Sequence, residues 1–250
     1  MTKIKTEIQY AAVTDIGRAR PNNEDFWRAV PEMGLYMVSD GMGGRASGEV
    51  AAEMVIELLP ILFKHKLPAD LPLNTPRMRA IVNDTLLHAS LRIFEAGEKN
   101  PSHRGMGATV VFCLFRGREV LTAHVGDSRA YLFRAHRLTR LTKDHSVFQL
   151  LVDQGEAVEE EASGHPARFQ LTQCMGHGML IEPGLSVMEW IPQDRILLAS
   201  DGLFDMIDDG TIEKTLQKYS EPSEACKELV AAANNAGGKD NITALVIDFP

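Results

Sequence analysis

Residues 109–133 read TVVFCLFRGREVLTAHVGDSRAYLF. Three apolar, β-branched and aromatic runs (109–115, 119–125 and 130–133) are separated by short stretches that begin with Arg116-Gly117 and with Gly126-Asp127. Parallel neighbours need a crossover of about a dozen residues or more, so both short separations predict antiparallel hairpins. Working outward, similar runs bounded by Gly, Pro, Asn and Asp occur at 8–13, 26–30, 35–39, 196–200 and 244–249, as strands require. Helical periodicity fills the spaces between. Residues 48–62 carry Val50, Met54, Ile56, Leu58 and Leu59 on or near one face, with Pro60 expected in the last turn. Residues 78–97 give the clearest helix, and two more segments are expected near 211–219 and 223–235. Residues 145–185 are mixed, with a helical start. The chain shows no repeat, low-complexity tract or linker, so the pattern reads as one α+β domain with antiparallel strands and two helix pairs set apart.

The chain has 250 residues, 34 acidic against 26 basic side chains, and a formal net charge of −8. Its 44% hydrophobic content excludes a disordered chain, and its acidity disfavours nucleic acid, which selects a basic face. Cys113, Cys174 and Cys226 are scattered and lack CxxC spacing, as expected of reduced thiols in a cytoplasmic protein. The most apolar window, MVIELLPILF at 54–63, holds a Glu and a Pro and is far shorter than a membrane span. The N-terminus lacks a signal peptide's apolar centre.

The chemistry is concentrated in aspartates at strand ends. Asp40 follows one run and Asp201 another, each inside Ser-Asp-Gly (VSDG and ASDG). Asp127 follows Val125-Gly126, Asp240 lies in GGKDN ahead of the last run, and Asp25, preceded by Glu24, opens the run 26–30. A single Asp-Gly is an ordinary turn former. Two apolar runs ending in Ser-Asp-Gly are harder to assign to turns alone. If the ends converge, the carboxylates raise one another's pKa values unless cations intervene. Oxygen-only ligands favour Mg²⁺ or Mn²⁺ over zinc, and a pair of such ions can activate water against phosphorus. Arg20, in RPNNED, offers a planar fork suited to phosphate oxygens.

Eight segments in order resemble the metal-dependent protein phosphatase family, the type 2C Ser/Thr phosphatases, and especially its compact bacterial members. They are TDIGRARPNNED (14–25), VSDGMGG (38–44), GMGATVV (105–111), AHVGDSRAYLFR (123–134), LTKDHS (141–146), EEASGHPARFQLTQCMG (160–176), LLASDGLFD (197–205) and GGKDNITALVI (237–247). The resemblance implies an αββα sandwich, two antiparallel sheets each covered by a helix pair, with two Mn²⁺ or Mg²⁺ ions in a cleft between the sheets. In the family pattern Asp40 bridges the metals, the Gly41 carbonyl joins one of them, and Asp201 and Asp240 hold the other. Asp25, with Glu24 beside it, acts through metal-bound waters. Asp127 together with Asp201 holds a third, weaker ion, and Arg20 binds the phosphate. Water activated by the metals then attacks phosphorus directly, without a phosphoenzyme.

The sequence departs from many relatives at two positions. Met42 stands where many of them have a His as candidate general acid, and a methionine cannot donate a proton. Arg45 stands where several bacterial relatives have a His after GMGG; its high pKa makes it a poor donor and assigns it to substrate phosphate or an acidic partner. The leaving-group proton is therefore expected from a metal-bound water. Residues 147–180 correspond to the family's flap, whose Glu156, Glu159, Glu160 and Glu161 could repel acidic phosphopeptides or form a solvated face.

The expected protein is a monomeric cytoplasmic phosphatase whose single catalytic domain uses almost all of residues 1–250. It dephosphorylates phosphoproteins and opposes a cognate Ser/Thr kinase, with no nucleic-acid or membrane partner. A non-catalytic phosphoprotein-binding module and a small-molecule phosphatase are the alternatives; retention of Asp25, Asp40, Asp127, Asp201 and Asp240 favours catalysis.

Overall fold

The computed structural model describes residues 8–43, 47–68, 70–161, 164–178 and 180–249. In chain order its strands are β1 (Gln9–Asp15), β2 (Asp25–Val30), β3 (Leu35–Met42), β4 (Gly107–Ala108), β5 (Val110–Arg116), β6 (Glu119–Val125), β7 (Arg129–Arg134), β8 (Arg137–Arg140), β9 (Gly184–Glu189), β10 (Arg195–Ala199) and β11 (Ile242–Asp248). The helices are α1 (Ser47–Lys66), α2 (Pro76–Lys99), α3 (Val147–Asp153), α4 (Asp201–Phe204), α5 (Asp209–Lys218) and α6 (Pro222–Asn235). One sheet has the order β1-β11-β10-β7-β8, the other β2-β3-β5-β6-β9 with β4 paired to β3. The paired strands are antiparallel throughout.

The layering follows from side-chain alternation. In β3, Tyr36 and Val38 meet Ile196, Leu198, Leu245 and Ile247 of the opposite sheet. Leu35 and Met37 turn outward onto Ala52, Val55, Leu59 and Phe63 of α1. In β10, Ile196 and Leu198 face the other sheet, while Leu197 and Ala199 pack on Leu216, Leu229 and Ala233 of α5 and α6. Strands covered on both faces have no polar side to alternate with, which is why these runs are continuously apolar. The result is the αββα sandwich. Among the described residues no helix is long and apolar enough to cross a membrane.

Three local expectations are corrected. Arg116-Gly117 closes a hairpin between β5 and β6, but Gly126-Asp127 does not: β6 pairs with β5 and β9, whereas β7 pairs with β10 and β8. The chain crosses between sheets at Gly126, whose φ is +99° and whose missing Cβ would stand 2.6 Å from Thr109 Cγ2. Asp40 does not close its strand, since β3 continues to Met42 by pairing with β4. Pro60 lies inside α1 rather than in its last turn, because Leu59, Leu62 and Phe63 around it are buried in the helix–sheet core. Helix starts follow local chemistry: Thr75, Ser146 and Asp208 accept hydrogen bonds from the N–H groups of Met78, Gln149 and Thr211.

Candidate active site

The strand pairs carry their aspartates to one end of the sandwich. Asp25 opens β2 and stands directly opposite Asp40 of β3. Asp201 follows β10 and Asp240 precedes β11, so these two share an end of the adjacent sheet. Hydrogen bonds join the two ends: Asp25 Oδ2 accepts from Ser200 Oγ and from Thr243 Oγ1, each at 2.7 Å. Asp127 lies in the crossover between sheets. A cavity of about 270 Å³ results, lined by Arg20, Glu24, Asp40, Gly41, Asp127, Asp201 and Asp240 among others.

The backbone beneath is tightly fixed. The Asp40 N–H donates to Thr109 Oγ1 at 3.0 Å, and the Asp40 carbonyl accepts from the Thr109 N–H at 2.8 Å. A Cβ at Gly41 would meet the Gly48 carbonyl oxygen at 2.2 Å, so α1 approaches the Asp40-Gly41 turn as closely as two glycines permit. Asn241 clasps the other side: its Oδ1 accepts from the Glu24 N–H at 2.8 Å, and its Nδ2 donates to the carbonyls of Ile16 and Asn22 at 2.9 Å. It therefore joins the Asp240 loop to the segment bearing Arg20.

Electrostatically the cluster is under load. Loss of water raises Asp25 to about 6 and Asp127 to about 7. Burial and then the neighbouring carboxylates raise Asp40 and Asp201 well above the ordinary carboxylate range. Like charges directly opposite across a strand pair are destabilising, and Asp25–Asp40 is such a pair. Two carboxylate oxygens, Asp25 Oδ1 and Asp201 Oδ1, are buried without a hydrogen-bond partner, which is costly unless a cation or proton meets them. A fixed positive charge at the site is Arg20, whose Nη2 lies 2.5 Å from Asp240 Oδ2; this hydrogen bond raises the guanidinium pKa further.

Among the described residues no three acidic, histidine or cysteine side chains are closed around a single point at coordinating geometry. The donor chemistry still fits hard divalent cations: the site offers oxygens only, several carboxylates and two unpartnered buried oxygens.

A sequence profile described as Protein phosphatase 2C matches residues 18–236. The chain belongs to the protein phosphatase 2C family. Within the family it is 38% identical over 249 residues to the serine/threonine protein phosphatase PstP of Mycobacterium tuberculosis, an alignment covering 99% of this chain and 46% of PstP. It thus spans about half of that relative's length. It is 33% identical over 238 residues to the serine/threonine phosphatase stp of Listeria monocytogenes, covering 94% of this chain and 93% of that one. Its fold matches the crystal structure of the PstP catalytic domain in complex with two manganese ions, with a TM-score of 0.82, 37% identity, and coverage of 96% and 97% of the two chains.

For this protein phosphatase 2C chain, the structure brings Arg20, Asp40, Gly41, Asp127, Asp201 and Asp240 to one cavity, with Asp25 buried beside it. Arg45 lies outside the described residues. Sequence reading overlooked the hydroxyls that position the carboxylates. Ser200, the Ser of ASDG, holds Asp25, whereas Ser39 of VSDG donates to the Thr109 carbonyl at 2.6 Å. The repeated Ser-Asp-Gly hinted at such supporting roles. Thr243 carried no local signal. Arg129 pairs with Asp144 at 2.6 Å, largely buried, and lies 4.0 Å over the Phe204 ring. Burial would raise Asp144, but hydrogen bonds and charge from Arg129 hold it below its ordinary value.

Proposed function

We propose that this chain is a Ser/Thr phosphoprotein phosphatase that uses two Mn²⁺ or Mg²⁺ ions and forms no covalent phosphoenzyme. The observation that carries the reading is the Asp25–Asp40 pair, directly opposite each other across β2 and β3, with unpartnered buried oxygens on Asp25 beneath the cavity and on Asp201 within it, and Arg20 in the same cavity. Asp40, Asp201, Asp240 and the Gly41 carbonyl are the proposed direct ligands, Asp25 supports them from beneath, and Asp127 with Asp201 is the proposed place of a weaker third ion. Bound there, the ions supply a water nucleophile at neutral pH and positive charge for the phosphate oxygens.

The chain's own residues bind and orient the ester. Arg20, half exposed at the cavity mouth, exchanges its contact with Asp240 for two phosphate oxygens, where a guanidinium fork fits bidentately. The same charge stabilises the equatorial oxygens as the ester bond breaks. Ser200 and Thr243 fix Asp25 through its Oδ2, leaving Oδ1 aimed away from them. Met42 lines the cavity without a dissociable proton, consistent with solvent rather than that side chain protonating the leaving alkoxide. Arg45 is proposed to contact the substrate.

We further propose that residues 1–250 form one catalytic domain with a flap at about 147–180. It would act as a monomer in the cytoplasm, where its three free, buried thiols stay reduced, and oppose a Ser/Thr kinase. Hydrolysis of a phosphothreonine peptide with Mn²⁺ tests the activity: it should disappear with chelator and in Asp40→Asn and Asp201→Asn. Metal binding without turnover would instead indicate a binding module.

A further inference from the structure

A second groove of about 270 Å³ adjoins the carboxylate cavity and shares Phe169, Asp201 and Asp240 with it. Its remaining walls include Arg168, Asp205, Met206 and Lys239. A phosphate held over Asp201 and Asp240 therefore has this groove immediately beside it, along the line by which the rest of a substrate chain could leave. One wall is apolar: Phe169 is 60% exposed, and Met206 Sδ and Lys239 Cγ flank one spot, at 3.8 Å and 4.0 Å from where a Gly237 Cβ would stand. Met206 and the exposed Lys239 both line the groove, and a lysine brings an apolar stem together with its charged head.

Of the charged side chains in the groove, two are in no ion pair among the described residues: Asp201 and Lys239. Arg168 is paired with Asp205, and Asp240 with Arg20. Asp201 belongs to the proposed metal site. Lys239 is exposed and is in no ion pair among the described residues. Of the flap's acidic residues, Glu159 opens into a separate pocket with Arg129 and Arg140.

We infer that this groove receives the substrate residues flanking the phosphorylated Ser or Thr, and that Lys239 selects an acidic side chain among them. The inference rests on the phosphoprotein-phosphatase reading and adds a specificity determinant to it. An apolar flanking residue packs on Phe169 and Met206, while a Glu or Asp meets the ammonium. Exposed pairs of this kind are weak, so the expected preference is about two- to five-fold in kcat/KM.

The test uses the Mn²⁺-loaded protein and phosphothreonine peptides with Glu, Ala or Lys at positions on either side of the phosphothreonine. The readout is the ratio of kcat/KM for Glu- and Lys-flanked peptides within each variant, so a general loss caused by disturbing the neighbouring Asp240 cancels. The wild type should favour the Glu-flanked peptides, Lys239→Arg should keep that ratio, Lys239→Ala should bring it near one, and Lys239→Glu should reverse it. Equal hydrolysis by the wild type, or a preference that survives Lys239→Ala, overturns the groove inference alone. Hydrolysis of p-nitrophenyl phosphate with no turnover of any phosphopeptide overturns the substrate reading and the inference with it.

Discussion

Replacing Asp25 by Asn should stabilise the metal-free protein at neutral pH while weakening its response to metal. Asp25 Oδ2 accepts two hydroxyl hydrogen bonds, from Ser200 and Thr243, and Oδ1 has no partner. An amide keeps an oxygen for both hydroxyls and places its NH₂ where the unpartnered oxygen was, facing the Asp40 strand. Burial moves the carboxyl from its ordinary 3.8 to about 6. At 1.36 kcal/mol per pH unit, that is on the order of 3 kcal/mol of native-state destabilisation once pH exceeds both values. The sign follows from proton counting. Between those values the native state retains a proton that the unfolded chain has released, so stability is greatest below about pH 4 with respect to this group and falls as pH rises through 6. Asp127, raised to about 7, extends the decline toward neutrality. Imperfect bonding of the introduced NH₂ returns roughly 1–2 kcal/mol, leaving a net gain of about 1–2 kcal/mol. At roughly 2–4 °C per kcal/mol for a chain of this size, Tm should rise by about 2–8 °C at pH 7.5. Calorimetry in chelator from pH 5 to 8 should show the wild type losing stability with rising pH and the variant losing less. Added Mn²⁺ should then raise the wild-type Tm by more than that of the variant. A lower Tm for Asp25→Asn in chelator at pH 7.5, or a wild-type Tm that climbs over that range, would refute the reasoning.

Other expectations follow from single contacts. Arg20→Ala should lower kcat/KM for a phosphothreonine peptide by about 10- to 100-fold, the worth of a charged hydrogen-bonded contact, with Arg20→Lys recovering part of it; unchanged kinetics would remove Arg20 from phosphate binding. Arg129→Met leaves the buried Asp144 without its main partner and should cost about 3–5 kcal/mol in denaturant unfolding, a loss that a merely exposed pair would not produce. At Gly202 an added Cβ would stand 2.0 Å from the Asn241 carbonyl oxygen. Gly202→Ala should therefore displace the Asp240 loop, costing about 1–3 kcal/mol and weakening Mn²⁺ affinity in calorimetric titration; intact affinity would show that the loop tolerates the shift.

The legible parts of the fold were those specified by nearby residues. β3 and β10 announce themselves as unbroken apolar runs followed by Ser-Asp-Gly, and the aspartates stand out because glycines beside them mark turns. The edge strands β8 and β9 did not stand out, since their residues are mostly half-buried or exposed and give no sustained apolar pattern. The Gly126 crossover looked like a hairpin because a short separation says nothing about which sheet receives the next strand; contact with Thr109 and the pairing of β7 with β10 decide that. Ser200 and Thr243 lie 175 and 218 residues from Asp25 in sequence, so their supporting role exists only in the folded chain. Among the described residues, five aspartates legible one at a time became a site only when two sheets brought their ends together.

That convergence is most directly tested by anomalous diffraction from crystals of the protein grown with Mn²⁺. The account predicts two manganese peaks in the cavity bounded by Asp40, Asp201 and Asp240, with Arg20 withdrawn from Asp240, and the loss of peaks in Asp201→Asn. Crystals of protein active in Mn²⁺ that show no manganese in this cavity would contradict it.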